Sequence, residues 1–341
     1  MSRRLLGQRG GAVKSILVFL AALALLATAS LGVGGYFAYR EAAKPGPLAE
    51  NTVILLRPGV SVSTIADELE AAGAVRYPAL FIAVVRVKGV QSVLKAGEYE
   101  IPAGASVLDI VDLLVKGKSI LHTLTAAEGL TTAQILRIIE GDEILAGEIT
   151  LTPAEGELLP ETYSYTRGET RDGVIRMMMK ARNDVLDELW DGRALDLPFN
   201  TRDEAVILAS IVEKETAVPD ERPLIASVYV NRLKKGMRLE SDPTVIYGVT
   251  GGEPLKRGLR VSELKKETPY NTYVVKGLPP TPIANPGRAA IEAVLNPADT
   301  DYIFFVADGT GGHAFSSTLA EHNRNVIRWR QVERNQANGG K

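Results

Sequence analysis

Residues 201–216 read TRDEAVILASIVEKET. Thr201 and Glu204 stand at the spacing of a capping box, the apolar run AVILASIV follows at once, and Pro219 forbids extension, so a helix is expected to about Thr216. Along it Leu208, Ile211, Val212 and Glu215 fall at i, i+3, i+4 and i+7, which puts one carboxyl on the core-facing stripe. Glu213 falls off that stripe. Lys214 points about 100° away around the helix and is not the obvious partner that would keep Glu215 ionised. A carboxyl among apolar groups has its charged form penalised, so its pKa rises and it can hold a proton near neutral pH, as a general acid must. The stripe alone leaves this reading beside a plainer one, a helix-end glutamate whose stem packs while its carboxylate reaches water.

Downstream, a helix from Glu221 to about Lys235 is closed by Gly236. RLESDPTVIYGV follows and reads as a polar loop or hairpin beside the end of the first helix. TPYNTYVVKGLPPTPIANPG has Pro-Pro and Asn-Pro turns, and FFVADGTGGHAFSSTLAEHN reads as a strand and a glycine-rich loop. Tyrosines and asparagines in such loops suit sugars, whose faces stack on rings and whose hydroxyls and acetamides need fixed partners. Turn chemistry accounts equally for each of them singly. Upstream, EGELLPETYSY and a helical stretch around 170–189 open the same domain, expected over 151–335 with a disordered tail at 336–341.

Residues 51–150 carry a weak internal repeat. LRPGVSVSTIADEL (56–69), IPAGASVLDIVDLL (101–114) and TAAEGLTTAQILRII (125–139) superpose on Gly59, Gly104 and Gly129. Two positions later comes a cap residue (Ser61, Ser106, Thr131), and six and ten positions later come Ile65/Leu69, Ile110/Leu114 and Ile135/Ile139. Each copy is expected to form strand, glycine turn and capped amphipathic helix. Such units are similar to LysM-like glycan-binding modules, and a purely structural spacer fits as well.

The 25 residues Ser15–Tyr39 hold no charge and exceed the roughly 20 needed to span a bilayer. Arg3, Arg4, Arg9 and Lys14 precede them, so residues 1–14 are expected in the cytoplasm and everything after Arg40 outside. A cleaved signal peptide ending near Ala27-Thr28-Ala29 is the rival reading. Residues 40–50, with KPGPLAE, read as a linker. The chain of 341 residues has 45% hydrophobic residues and a formal charge of −2, without the clustered basic face that nucleic acid requires. It has no cysteine, so disulfides and thiolate metal sites are excluded. His122, His313 and His322 form no short-range ligand pair, and neither metal nor cofactor is expected.

Together LASIVEKET, ASVYVNRLKKGMRLESDPTVIYG, PYNTY, GLPPTPIANPG and FVADGTGGHAFSSTLAEHN closely resemble the MltG/YceG-like endolytic murein transglycosylases, over nearly the whole chain. The resemblance implies an α+β protein: a transmembrane helix, a LysM-like α/β module and a YceG-like catalytic domain, in the bacterial inner membrane with that domain outside. It implies a lyase that cuts the β-1,4 bond between N-acetylmuramic acid and N-acetylglucosamine in nascent peptidoglycan strands, leaving 1,6-anhydro-muramyl ends. Glu215 followed by Thr216 matches the glutamate and small hydroxyl residue of such enzymes. Asn231, Glu240, Tyr247, Asn271 and Tyr273 are the expected sugar contacts, peptidoglycan synthases the expected partners. Two alternatives stand beside this: a hydrolase using Glu240 or Asp242 to activate water, and an inert glycan-binding scaffold.

Overall fold

The computed structural model describes residues 7–57 and 59–339, and the chain divides into two compact units between Leu121 and His122. Arg3 and Arg4, on which the expected orientation partly rests, lie outside the described residues.

The first unit opens with helix α1 (Gly7–Ala42), of which the 26 residues Leu17–Ala42 are long and apolar enough to cross a membrane. Its last residue, Ala42, is buried in the unit. The segment expected to be a linker is fastened down: Gly46 N–H donates to Gly104 O (3.0 Å), Gly104 N–H donates to Leu48 O (2.9 Å), and Leu48 packs on the core. A Cβ at Gly46 would stand 2.2 Å from the Ala105 carbonyl oxygen, so only glycine permits this approach. Composition alone marks Pro and Gly as linker-forming and is blind to a docking partner far along the chain.

Strand β1 (Thr52–Leu56), helices α2 (Val62–Ala71) and α3 (Pro78–Lys88), strand β2 (Gly97–Ile101) and helix α4 (Val107–Lys116) complete this unit. β1 pairs antiparallel with β2, from Thr52 opposite Ile101 to Leu56 opposite Gly97. The pleat turns Ile54, Leu56, Tyr99 and Ile101 inward, where they meet Ile65, Leu69, Phe81, Val85, Ile110 and Leu114 in one core. Burying each such side chain contributes about 1.5–3 kcal/mol.

The second unit starts one residue into β3 (Leu121–Thr125) and holds α5 (Thr132–Glu140), β4 (Thr162–Thr166), α6 (Arg171–Trp190), α7 (Arg202–Glu215) and α8 (Arg222–Lys234). Then come α9 (Asp242–Thr250), α10 (Val261–Lys265), α11 (Arg288–Leu295), β5 (Phe304–Ala307), β6 (His313–Ser316) and α12 (Leu319–Gly339). All three repeat copies form strand, turn and helix. Their glycines have φ of 78°, 66° and 75°, and Ser61, Ser106 and Thr131 each accept the N–H three residues on. The first two copies pair through β1 and β2, whereas the third belongs to the second unit, where β3 pairs with β4 and Ile135 and Ile139 pack against Val174, Ile175 and Met178 of α6.

Two stretches differ from expectation. RLESDPTVIYGV is not a loop or hairpin beyond Asp242 but the helix α9, with Pro243 in its first turn and Gly251, at φ 66°, closing it. Proline's fixed φ and missing N–H suit a helix start, so a turn-like Asp-Pro also serves as a helix start. At the C-terminus α12 continues to Gly339, through most of the expected disordered tail.

Candidate active site

Helix α7 forms as its residues dictate. Thr201 caps it, Glu204 returns to the Thr201 N–H (3.0 Å), and Ala205 to Val212 are all buried among α8, α9 and α11. Glu215 ends this helix, half-buried in the wall of a cavity of about 460 Å³. Two hydroxyls donate to the same carboxyl oxygen: Tyr229 from α8 at 2.5 Å and Ser241, just before α9, at 2.6 Å, both to Oε1. Burial pushes the Glu215 pKa up, and the neighbouring Asp242 charge adds to this; the Ser241 and Tyr229 hydrogen bonds and His313 offset only part. The negative end of the α7 dipole acts in the same direction.

Because the two hydroxyls occupy Oε1 as donors, a proton on Glu215 belongs on Oε2, the oxygen left for a substrate. When that proton leaves, the same two donors stabilise the carboxylate. Such a group can give a proton and take one back.

The rest of the cavity is a polar wall facing apolar groups. Tyr273 donates to Asp242 Oδ1 (2.7 Å), and Arg232 Nη1 donates to Glu240 Oε2 (3.0 Å). Glu240 sits at φ 54°, a left-handed conformation that costs a non-glycine residue about 1 kcal/mol and that clusters at functional sites. Arg232 is buried and also donates to the carbonyls of Ile303, Arg238 and Leu239, which ties the loop before α9 to the start of β5.

Of the residues expected at the site, Glu215, Glu240 and Tyr273 line this one cavity. The other three do not. Asn231 donates to the carbonyls of Thr300 and Tyr302, and Asn271 to those of Glu263, Leu264 and Lys266, so both amides are spent on holding loops. Tyr247 packs against Tyr270 with the rings tilted by 59° (5.0 Å between centroids), donates to Glu155, and lines a separate pocket beside Lys214 and Pro243. Tyr229, Ser241 and Arg232 are the residues the sequence did not mark. Thr216 donates its hydroxyl to Glu221 (3.0 Å), which in turn accepts the His313 backbone N–H (2.6 Å), so it braces the turn after α7.

The two neighbours of Glu215 diverge. Lys214 Nζ reaches Gly129 O (3.0 Å), on the side away from the cavity, as helical phase requires. Glu213 is off the stripe yet far from solvent: its side chain is 5% exposed, accepts the Gly287 N–H (3.0 Å) and lies 3.6 Å from the Arg222 guanidinium. A helical wheel marks the face turned to the first core and misses a loop laid over the opposite side.

The YceG-like family model matches residues 54–328. The chain is 31% identical over 327 residues to the endolytic murein transglycosylase of Bacillus subtilis (strain 168), with 86% of this chain and 89% of that one covered. It is 30% identical over 365 residues to the endolytic murein transglycosylase of Streptococcus pneumoniae serotype 2, with 92% of this chain but 64% of the longer streptococcal protein covered. Among solved structures, a yceG-like protein from Listeria monocytogenes is 30% identical, with 81% of this chain and 99% of that one covered at a TM-score of 0.49.

Proposed function

The chain belongs to the YceG-like family, and from that premise we propose that it is an endolytic murein transglycosylase, a lyase that cuts peptidoglycan strands with Glu215 as its acid and base. The observation that carries the assignment of Glu215 is its place in the cavity wall, where Tyr229 and Ser241 donate to one oxygen and leave the other free, and burial pushes its pKa up. Glu215 Oε2 protonates the glycosidic oxygen as the bond to C1 breaks toward an oxocarbenium-like state, with the substrate's acetamide assisting. The carboxylate so formed, held by two hydroxyl donors, takes the proton of the muramyl C6 hydroxyl as that oxygen closes on C1. The product carries a 1,6-anhydro end and no water is consumed. Glu240 and Tyr273 line the same cavity and contact sugar. Asp242, held by Tyr273, acts through its charge on Glu215.

The paired strand–turn–helix copies of the first unit suit a LysM-like glycan-binding role. Helix α1 suits a single span in the inner membrane, with the N-terminus cytoplasmic and both units outside. There strands leaving membrane-bound peptidoglycan synthases are the nearest substrate.

Glycan strands incubated with the full chain in detergent, then separated and weighed by mass spectrometry, test the chemistry. Anhydro-muramyl ends are expected, and reducing muramic acid would overturn the lyase reading. Glu215→Gln is expected to lose about 10²–10⁴-fold in rate; an unimpaired variant excludes Glu215 as the acid.

A further inference from the structure

One group in the Glu215 cavity has no place in that chemistry. His322, in the first turn of α12, lines it together with Val326 one turn later, and Val306 of β5. The His322 ring stacks on Phe304 at 4.9 Å with an interplanar angle of 21°. Its Nδ1 is buried and without a hydrogen-bond partner. A proton on Nδ1 would strand a donor in a dry place, whereas a bare lone pair there is the smaller loss, so the proton belongs on Nε2. Burial, and after it the Arg232 charge, lower the His322 pKa and keep the ring neutral.

The imidazole therefore offers the cavity a donor and nothing else. Among the groups around it Glu240 and Asp242 are acceptors, and the one proton on Glu215 is committed to the glycosidic oxygen. Arg232 is already engaged with three carbonyls and Glu240. A sugar hydroxyl can give its hydrogen to either of those two carboxylates. An acetamide carbonyl can only accept, and it needs a donor. Beside His322 the apolar side chains of Val326 and Val306 are suited to a methyl group.

We propose that His322, Val326 and Val306 form the site that reads the N-acetyl group of the bound amino sugar, with the His322 Nε2–H donating to the acetamide oxygen and the two valines taking its methyl. This rests on the reading that the cavity binds glycan. His322 serves as a binding and specificity residue and takes no part in proton transfer.

The test is calorimetric binding to the full chain carrying Glu215→Gln, with chitopentaose and cellopentaose, which share β-1,4 linkages and differ by acetamide against hydroxyl. Chitopentaose is expected to bind about tenfold or more tighter, the worth of one well-placed hydrogen bond with its apolar contact. Adding His322→Ala is expected to remove most of that preference while leaving cellopentaose unchanged, and His322→Gln, which keeps an N–H donor, to restore part of it. A preference that survives His322→Ala, or an equal loss for both sugars, overturns the inference and leaves the lyase reading intact. Binding of neither sugar to the Glu215→Gln chain overturns the glycan reading and this inference with it. Nitrogen-15 NMR of the imidazole reads the tautomer independently of any sugar, and a proton found on Nδ1 contradicts the proposal even where His322→Ala fails to fold.

Discussion

The first two repeat copies and the third are built alike and used differently. Copies one and two close on each other through β1 and β2 and form a core of their own. Copy three, with the same left-handed glycine and the same cap, has its strand on β4 and its turn fastened to α7 and the loop before α11. Gly129 N–H donates to Asn285 O (3.1 Å), Gly129 O accepts Lys214 Nζ (3.0 Å), and the Thr132 N–H donates to Glu155 (2.8 Å). A repeat unit thus specifies its own local shape and leaves its partner to the exposed strand edge and the turn. The turn of copy three has become part of the frame that holds α7.

The largest break in this contrast is expected at Asn285, which is wholly buried. Its Oδ1 accepts the Leu158 N–H (3.0 Å), and its amide donates to Leu130 O, Thr132 Oγ1 and Glu155 Oε1. Asn285→Ala leaves several of these groups unmet and is expected to cost about 3 kcal/mol or more in the second unit, with cleavage falling alongside. Scanning calorimetry should show the first unit melting as before. A shared loss would mean that the two units fold as one.

A milder comparison swaps like for like. Ser106→Ala and Thr131→Ala each remove a helix cap worth about 1 kcal/mol. Ser106→Ala is expected to lower only the first unit's melting temperature and leave the rate of glycan cleavage alone. Thr131→Ala is expected to lower the second unit's and slow cleavage, because its turn braces α7. Equal rates in the two variants would reduce the third copy to a spacer.

The smallest effects are those of pH. In the first unit Asp109 is held below its usual pKa by its hydrogen bonds to Ser106, so its contribution is present above the ordinary aspartate range and lost only as pH falls through its lowered value. In the second unit burial raises Glu155, Glu213 and Glu215. A raised folded pKa penalises folding above the ordinary glutamate value, and the penalty lifts as pH falls through the folded value. Between pH 7 and 5 these three glutamates add stability to the second unit, while His322, whose pKa burial lowers, takes stability away as pH falls below the ordinary histidine value; paired calorimetric scans of the His322→Gln chain should therefore show the second unit gaining stability while the first stays level. The Tyr229 hydrogen bond lowers the Glu215 pKa, so Tyr229→Phe should move the alkaline limb of the activity profile to higher pH. A limb moving to lower pH would contradict the assignment of Glu215 as the acid.

What could be read from the sequence was local. The capping box and apolar stripe of α7, and the glycine, cap and apolar positions of each repeat, are set by neighbours within about ten residues. Pairings made by chain reversal left no such mark. Tyr229 lies between two valines and reads as an ordinary core ring until the reversal between α7 and α8 brings it, and the turn at Gly236 brings Ser241, onto Glu215. Asn271 and Tyr247 have the right chemistry for sugar and point elsewhere, one into loop carbonyls and one toward Tyr270 and Glu155. Side-chain type suggested a role, and only the course of the chain decided who could perform it.

The fastening of residues 43–48 bears on reach. With α1 in a bilayer, a slack leash would let the rest of the chain sweep a hemisphere around its anchor point. The ties from Gly46 and Leu48 to Gly104 shorten that leash to almost nothing for the first unit. Its stand-off from the lipid then becomes a property of the fold, as fixed as the length of a bracket.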